Sequence, residues 1–212
     1  MKISDITNIK KYYLPEGQTG CLLSLLNEPD FKNESKKNEP FFKKEIRILT
    51  SHIQEVEFSH QPNQSHFPIE VNLKTGERTY TNEFSWSRGD LSVLVLLYKT
   101  DRAFDENLNK FIADTVGQIV ARRKSLELIN RNPFIRHGTA GIAQCFLTLF
   151  NLSDKGFYKD AYEYWITKTL ELLENKTQES DSNNILDSYQ GIDLVLETYK
   201  TGKNEWSRQI LL

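Results

Sequence analysis

The sequence has few cysteines, and this scarcity removes two classes of protein. Only Cys21 and Cys145 occur among its 212 residues, each inside an apolar run and far from the other. Two isolated thiols form neither the paired cysteines of a metal-binding knuckle nor a disulfide framework. We therefore expect both thiols to be buried.

The chain also lacks a long apolar run and an excess of charge of one sign. Its longest apolar stretch, residues 91–98, is too short to cross a bilayer, and its first residues lack the apolar core of a signal peptide. A net charge of -2 gives no broad cationic field for nucleic acid or anionic lipid. The basic cluster at residues 122–124 is expected to be a solvated helix face. These absences predict a cytoplasmic protein without membrane insertion and without a nucleic-acid partner.

Hydrophobic periodicity predicts helices over most of the chain. Apolar residues recur mostly at spacings of three and four over residues 41–56, 106–129 and 157–173, which indicates three amphipathic helices. The polar residues 32–40 are expected to be a flexible linker. Residues 67–82 hold two short β-prone runs around a Lys-Thr-Gly-Glu turn, which predicts a small β-hairpin inserted into an otherwise all-α domain.

Four shorter, more apolar segments alternate with these helices, and each begins with two small residues three positions apart. The pairs are Gly17 and Gly20, Gly89 and Ser92, Gly138 and Gly141, and Ser188 and Gly191. Their first members lie 72, 49 and 50 residues apart, so the chain repeats itself at a period near fifty. One amphipathic and one apolar helix per repeat indicate stacked helical hairpins. We expect an α/α toroid-like fold, with the apolar helices inside and their N-termini at one end of a bowl.

Three segments carry a resemblance to a known family. Residues 86–91 (Trp-Ser-Arg-Gly-Asp-Leu) resemble that family's Trp-Cys-Tyr-Gly-Asp-Leu motif, residues 136–141 (Arg-His-Gly-Thr-Ala-Gly) resemble its Cys-His-Gly-Thr-Ala-Gly motif, and residues 191–212 resemble its closing segment. The family is the lanthionine synthetase C-like (LanC-like) family, whose cyclases form the thioether rings of lanthipeptides. The resemblance covers most of the chain and implies one α/α toroid domain over residues 1–212.

In the cyclases of that family, a zinc ion held by two cysteines and a histidine activates a substrate thiol, which attacks a dehydrated serine or threonine of the same peptide. The resemblance places Ser87 and Arg136 at the cysteine positions and His137 at the histidine position. A serine hydroxyl stays protonated and a guanidinium is a fixed cation, so both are poor zinc ligands. We therefore expect these three to be vestigial zinc positions, with no bound zinc and no other cofactor.

Two further positions depart from the family. Glu83 stands where the family has an arginine, and Glu16 stands where it has a histidine at the head of an earlier inner helix. We expect Arg136 to pair with Glu83 or Glu16 across the vacated site. His137 is expected to cap or pack a helix start, and Asp90 to stabilise the positive end of a helix dipole. If any catalysis remains, the candidate residues are His137, Asp90, Glu83 and Glu16.

Three functions remain open from the sequence. The favoured one is a zinc-free cyclase relative, a pseudoenzyme that binds a peptide or a partner enzyme in peptide modification. The second is an active zinc cyclase, alone or with a complementing chain, for which His60 and His66 offer replacement ligands. The third is a carbohydrate-active toroid enzyme whose acid and base come from Glu83, Asp90 and Glu16.

The number of repeats predicts that the chain associates with a second chain. A full cyclase toroid has seven helical hairpins, whereas this sequence has four inner-helix starts. An incomplete ring would expose the apolar sides of its end helices, and exposed apolar surface of this kind marks an interface. We expect the ring to be completed by self-association or by a separate complementing half-toroid.

Overall fold

The computed structural model describes residues 8–29, 31–55, 64–104, 107–124, 132–175 and 184–212. Within these ranges the chain is mostly helical, and the α-helices are α1 (Gln18–Asn27), α2 (Phe31–Thr50), α3 (Asp90–Phe104), α4 (Asn107–Val120), α5 (Thr139–Ser153), α6 (Gly156–Glu174) and α7 (Tyr189–Thr201). Short 3-10 helices cover Ile185–Asp187 and Glu205–Ile210. None of the described helices is long and apolar enough to span a membrane.

A small antiparallel sheet accompanies the helices. Its strands are β1 (Ile9–Lys11), β2 (Glu70–Asn72) and β3 (Arg78–Thr79), with β2 in the middle. The predicted hairpin is β2 and β3, and Gly76 lies in its turn at a φ of 74°, which glycine adopts without steric cost. The third strand was not predicted, because three residues with two lysines carry no strand pattern of their own. It is set by pairing with β2, where Lys10 lies opposite Val71.

The four predicted inner helices are confirmed as α1, α3, α5 and α7. They pack in chain order, α1 on α3, α3 on α5 and α5 on α7. Of the other helices, α2 and α4 pack on α3, while α6 packs on α5. Residues 91–98 of α3 and 139–146 of α5 are buried without exception. A helix enclosed in this way has no solvated face, which explains why these segments are apolar rather than amphipathic.

The small residues at the helix starts are explained by a close approach of the preceding loop. A Cβ added at Gly141 would lie 1.8 Å from the carbonyl oxygen of Ile135, and one at Gly191 would lie 1.9 Å from that of Ile185. In both repeats the carbonyl belongs to the residue six positions earlier, so the same loop crossing occurs twice. Only a residue without a side chain fits beneath such a carbonyl.

The bounds of two helices differ from the prediction. The predicted linker at residues 32–40 is wrong, because α2 begins at Phe31 and includes these residues. The ring of Phe31 is buried and packs edge-on against Phe42 and Phe104 at centroid distances of 5.5 and 5.8 Å, which anchors the start of α2. The helix predicted over residues 106–129 ends as α4 at Val120, and residues 125–130 lie outside the described part of the chain.

The two cysteines differ in exposure. Cys145 in α5 is buried as expected, and burial raises the pKa of its thiol well above the usual range. The prediction is wrong for Cys21, which is exposed on α1. This helix is the first of the inner row, and the face that carries Cys21 is not covered by any described element.

The C-terminal segment folds back onto the inner helices. The indole Nε1 of Trp86, in the loop before α3, donates a hydrogen bond of 3.1 Å to the carbonyl oxygen of Ile210. The amide of Gln144 in α5 donates to Asn204 Oδ1 at 2.6 Å. Ile210 and Leu212 are buried, so the last residues form part of the core.

The loop crossing at Gly141 can be tested by mutation. Gly141→Ala is expected to lower the free energy of unfolding by about 3 kcal/mol, because the new methyl group would overlap the carbonyl of Ile135. The matched control is Gly156→Ala at the start of α6, where an added Cβ meets nothing within 4 Å. This control should change stability by less than about 1 kcal/mol. Urea unfolding of both variants measures the difference, and equal stabilities would contradict the packing explanation.

Candidate functional site

The loops that precede the inner helices are joined by backbone hydrogen bonds in a single row. The amide of Leu14 donates to the carbonyl of Ser87 at 2.8 Å, the amide of Ser87 donates to Arg136 at 3.2 Å, and the amide of Arg136 donates to Leu186 at 2.9 Å. We call this row of loops the rim. It brings together the three positions at which the resemblance implies zinc ligands.

Four side chains of the rim form a hydrogen-bonded group, which we call the rim cluster: Glu83, Ser85, Ser87 and His137. Glu83 Oε1 lies 2.6 Å from His137 Nδ1 and accepts a hydrogen bond of 2.7 Å from Ser85 Oγ. Ser87 Oγ lies 3.3 Å from His137 Nδ1 and 3.4 Å from Glu83 Oε1. The structure therefore brings Ser87, His137 and Glu83 into contact, with one carboxylate oxygen at the centre.

Ser85 is a member of this cluster that the sequence analysis missed. Besides donating to Glu83, its hydroxyl accepts the amide of Arg88 at 3.1 Å. The signal in the sequence is the polar residue at every second position from Glu83 to Ser87, a spacing that places side chains on one side of an extended segment.

The carboxyl group of Glu83 is held in its ionised form. Burial by itself would raise its pKa, but hydrogen bonds from His137 and Ser85 and the charges of His137 and Arg88 outweigh burial and lower the pKa below its usual value. Since the folded chain binds the proton less well than the unfolded chain, the group stabilises the fold above its unfolded pKa. That stabilisation is lost as the pH falls through the folded value.

Arg136 does not make the predicted ion pair. Its Nε lies 2.9 Å from Asp187 Oδ2, and Glu83 pairs with His137 instead. The reason is local: the amide of Arg136 is bonded to Leu186, which places its side chain beside the 3-10 turn that contains Asp187. Glu16 is exposed and makes no ion pair with any residue of the described ranges.

Asp90, the first residue of α3, is completely buried and ties three parts of the chain together. Its Oδ1 accepts the backbone amides of His66 and Phe67 at 2.8 and 3.0 Å. Its Oδ2 lies 3.0 Å from His66 Nδ1 and 3.1 Å from the guanidinium of Arg123. Its place in the first turn of α3 agrees with the predicted role at the helix start, and the buried contacts add a role that the sequence did not show.

Two expectations about the residues around Asp90 are corrected by the structure. Arg123 was expected on a solvated face, yet it is 4% exposed and is paired with Asp90. His66, considered as a replacement zinc ligand, instead directs Nδ1 to Asp90. His60 lies outside the described residues.

The rim residues do not fit a zinc ion held by two thiolates and an imidazole. At the positions where the resemblance implies cysteines stand the neutral hydroxyl of Ser87 and the guanidinium of Arg136, which is directed to Asp187. His137 Nδ1 is bonded to Glu83, so His137 would offer a metal its Nε2 alone. Across the described residues, no group of three or more His, Cys, Asp or Glu side chains is arranged to hold a metal ion.

Comparison with known proteins returned one match. A family model described as lanthionine synthetase C-like protein matches residues 14–212, which include every inner helix and the whole rim. No curated protein and no solved structure matches the chain.

The role of Asp90 can be tested through stability. Asp90→Ala is expected to cost about 3–5 kcal/mol, because it leaves the buried guanidinium of Arg123 without a counter-charge. The matched control is Glu171→Ala, which removes an exposed ion pair with Lys168 and should cost less than about 1 kcal/mol. Denaturant unfolding provides both values. If the two variants were equally stable, Asp90 would not be the structural anchor described above.

Proposed function

Because the chain belongs to the lanthionine synthetase C-like family, we propose that it is a cyclase-like protein that acts in peptide modification without a catalytic zinc. In this role it binds a peptide or a partner enzyme. The observation that carries the proposal is the absence of a thiolate at both implied cysteine positions, where Ser87 has a hydroxyl and Arg136 directs its guanidinium to Asp187 at 2.9 Å.

The chemistry of the rim supports a role in binding rather than in thiol activation. Zinc would have to supply the charge that converts a substrate thiol to a thiolate, and it would need three protein ligands and an open fourth position. The rim instead offers hydroxyl groups at Ser85 and Ser87 and an ionised carboxylate at Glu83, which is satisfied by its neighbours. These groups do not supply the divalent charge by which zinc converts a bound thiol to a thiolate.

The exposed groups beside the rim cluster suit a peptide. Arg88 is about half exposed, lies 3.9 Å from Glu83 and is stacked over the ring of Tyr13 at 5.6 Å. The side chain of His137 is 46% exposed. Together they present hydrogen-bond donors toward solvent, which can engage the carbonyl groups and acidic side chains of an extended peptide.

The alternative functions are less well supported. A carbohydrate-active enzyme would need an accessible pair of carboxylates, but Asp90, one of its three candidates, is fully buried against Phe67 and Arg123. An active cyclase would need ligands that the rim does not have. It remains the alternative that metal analysis is able to establish.

The decisive experiment is metal analysis combined with a peptide assay. Protein purified without chelator should hold far less than one zinc per chain, whereas the double variant Ser87→Cys with Arg136→Cys should gain zinc, because it restores two thiolates beside His137. Stoichiometric zinc in the unmodified protein that is lost in His137→Ala would establish the cyclase alternative.

The peptide arm of this experiment uses a synthetic peptide that carries one dehydroalanine and one cysteine. The protein should bind it without accelerating the loss of free thiol. Arg88→Ala should weaken binding by about tenfold, since it removes a charged donor from the rim. Lys200→Ala, an exposed change on α7, serves as the control and should leave binding unchanged. Protein-dependent thiol loss would contradict the zinc-free proposal.

We also propose that the row of inner helices is completed by a second chain, either another copy or a complementing half-toroid. The end helix α7 exposes Tyr199 by 51%, and α1 exposes Cys21 at the other end of the row. Size-exclusion chromatography with light scattering should give a mass above that of one chain, for the protein alone or with a co-encoded partner. A monomer under both conditions would contradict this proposal.

A further inference from the structure

A cavity of about 850 Å³ lies at the end of the inner helices that is opposite to the rim. Its walls are the C-terminal turns of α1, α3 and α5 together with the C-terminal segment of the chain. The volume falls within the range of pockets that hold small molecules. The family resemblance concerns the other end of these helices, so this cavity needs its own explanation.

Three cations line the cavity: Lys99, Arg102 and Arg208. None of them has a carboxylate partner at ion-pair distance among the residues that the structure describes. Lys99 donates one hydrogen bond of 2.9 Å to the amide oxygen of Asn27. By contrast, the half-buried Lys10 is paired with Glu45 at 3.1 Å.

The charges of two of these cations, Lys99 and Arg208, repel each other in the cavity. Burial and then the charge of Arg208 lower the pKa of Lys99 to about 8, so the pocket disfavours the charged form of Lys99. Arg102 differs, because it lies in the last turn of the 15-residue α3, whose dipole stabilises a cation without any ligand, whereas Arg208 lies in the last turn of a 3-10 helix of 6 residues with a smaller dipole. An anion bound beside Lys99 and Arg208 would therefore offset the repulsion between their charges.

The other walls define the kind of anion. Glu28 and Glu205 also line the cavity, so its charged side chains carry a small positive balance that suits one negative charge better than several. Phe31, Leu152 and Leu212 supply apolar wall beside the cations. A ligand that matches both features has one anionic group and an apolar body.

We propose that this cavity binds an organic carboxylate with an apolar body, its carboxylate held between Lys99 and Arg208. The carboxylate belongs either to a free small molecule or to the C-terminal residue of a peptide. Both sources present the same chemistry to the two cations, since charge-assisted hydrogen bonds from lysine and arginine to a carboxylate are alike in each case.

Calorimetric titration of the full chain at low salt tests the proposal with three compounds. Hexanoate represents the free acid, N-acetylphenylalanine represents a peptide C-terminus, and N-acetylphenylalanine amide is the neutral control. At least one carboxylate should bind saturably, about tenfold or more tighter than the amide. Binding of hexanoate identifies a small-molecule site, and binding of N-acetylphenylalanine alone identifies a site for a peptide terminus.

Substitutions of the cavity's cations then test whether the carboxylates bind in this cavity. Arg208→Gln and Lys99→Met should each weaken it by about tenfold, whereas Lys200→Gln, outside the cavity, should not. Because Arg208 is exposed, its replacement leaves the fold intact, and circular dichroism checks this. Should Lys99→Met unfold, NMR titration of Lys99 in the unmodified protein replaces it and should show a raised pKa with ligand bound. The proposal is overturned by absent saturable binding, by equal binding of the amide, or by an undiminished affinity in Arg208→Gln.

Discussion

The row of backbone hydrogen bonds along the rim is the constraint on which the rest of the structure depends. Amides of Leu14, Ser87 and Arg136 each donate to the next loop, so four loops that are distant in sequence are held side by side. The loops lie close to the helix starts only because glycine stands beneath their carbonyls, as at Gly141 and Gly191. The positions of the rim side chains follow from this backbone.

Because of these backbone bonds, the position of the rim loops does not depend on the side chains that carry the chemistry of the site. The scaffold is kept by backbone bonds and by the buried Asp90, whose carboxylate joins His66 and Arg123 to the start of α3. The chemistry is carried by side chains that can change while the loops remain in place. At Ser87 and Arg136, where the resemblance implies thiolates, stand a hydroxyl and a guanidinium, and Glu83 contacts His137.

The features that could be predicted from the sequence are those that depend on local pattern. Apolar runs behind small residues predicted α1, α3, α5 and α7, and the turn signal predicted the hairpin, because burial and turn geometry act over a few residues. The resemblance implied that Ser87 and His137 belong to one site, and their side chains lie 3.3 Å apart.

The features that could not be predicted depend on contacts between distant loops. Arg136 pairs with Asp187 because a backbone bond to Leu186 orients it, and no spacing in the sequence shows that bond. Arg123 is buried because Asp90 lies opposite it, 33 residues earlier. The polar residues 32–40 are helical because the flanking Phe31 is fixed in the core, which their composition does not reveal.

The central claim is that hydrogen bonding within the rim cluster, rather than zinc, holds His137. Nitrogen-15 NMR of its imidazole ring tests this most directly, because the two ring nitrogens report protonation and metal binding separately. The structure predicts a protonated Nδ1 that is hydrogen-bonded to Glu83 and is unchanged when one equivalent of zinc is added. A shift of either ring nitrogen to the position of a metal-bound imidazole at one equivalent would contradict the account.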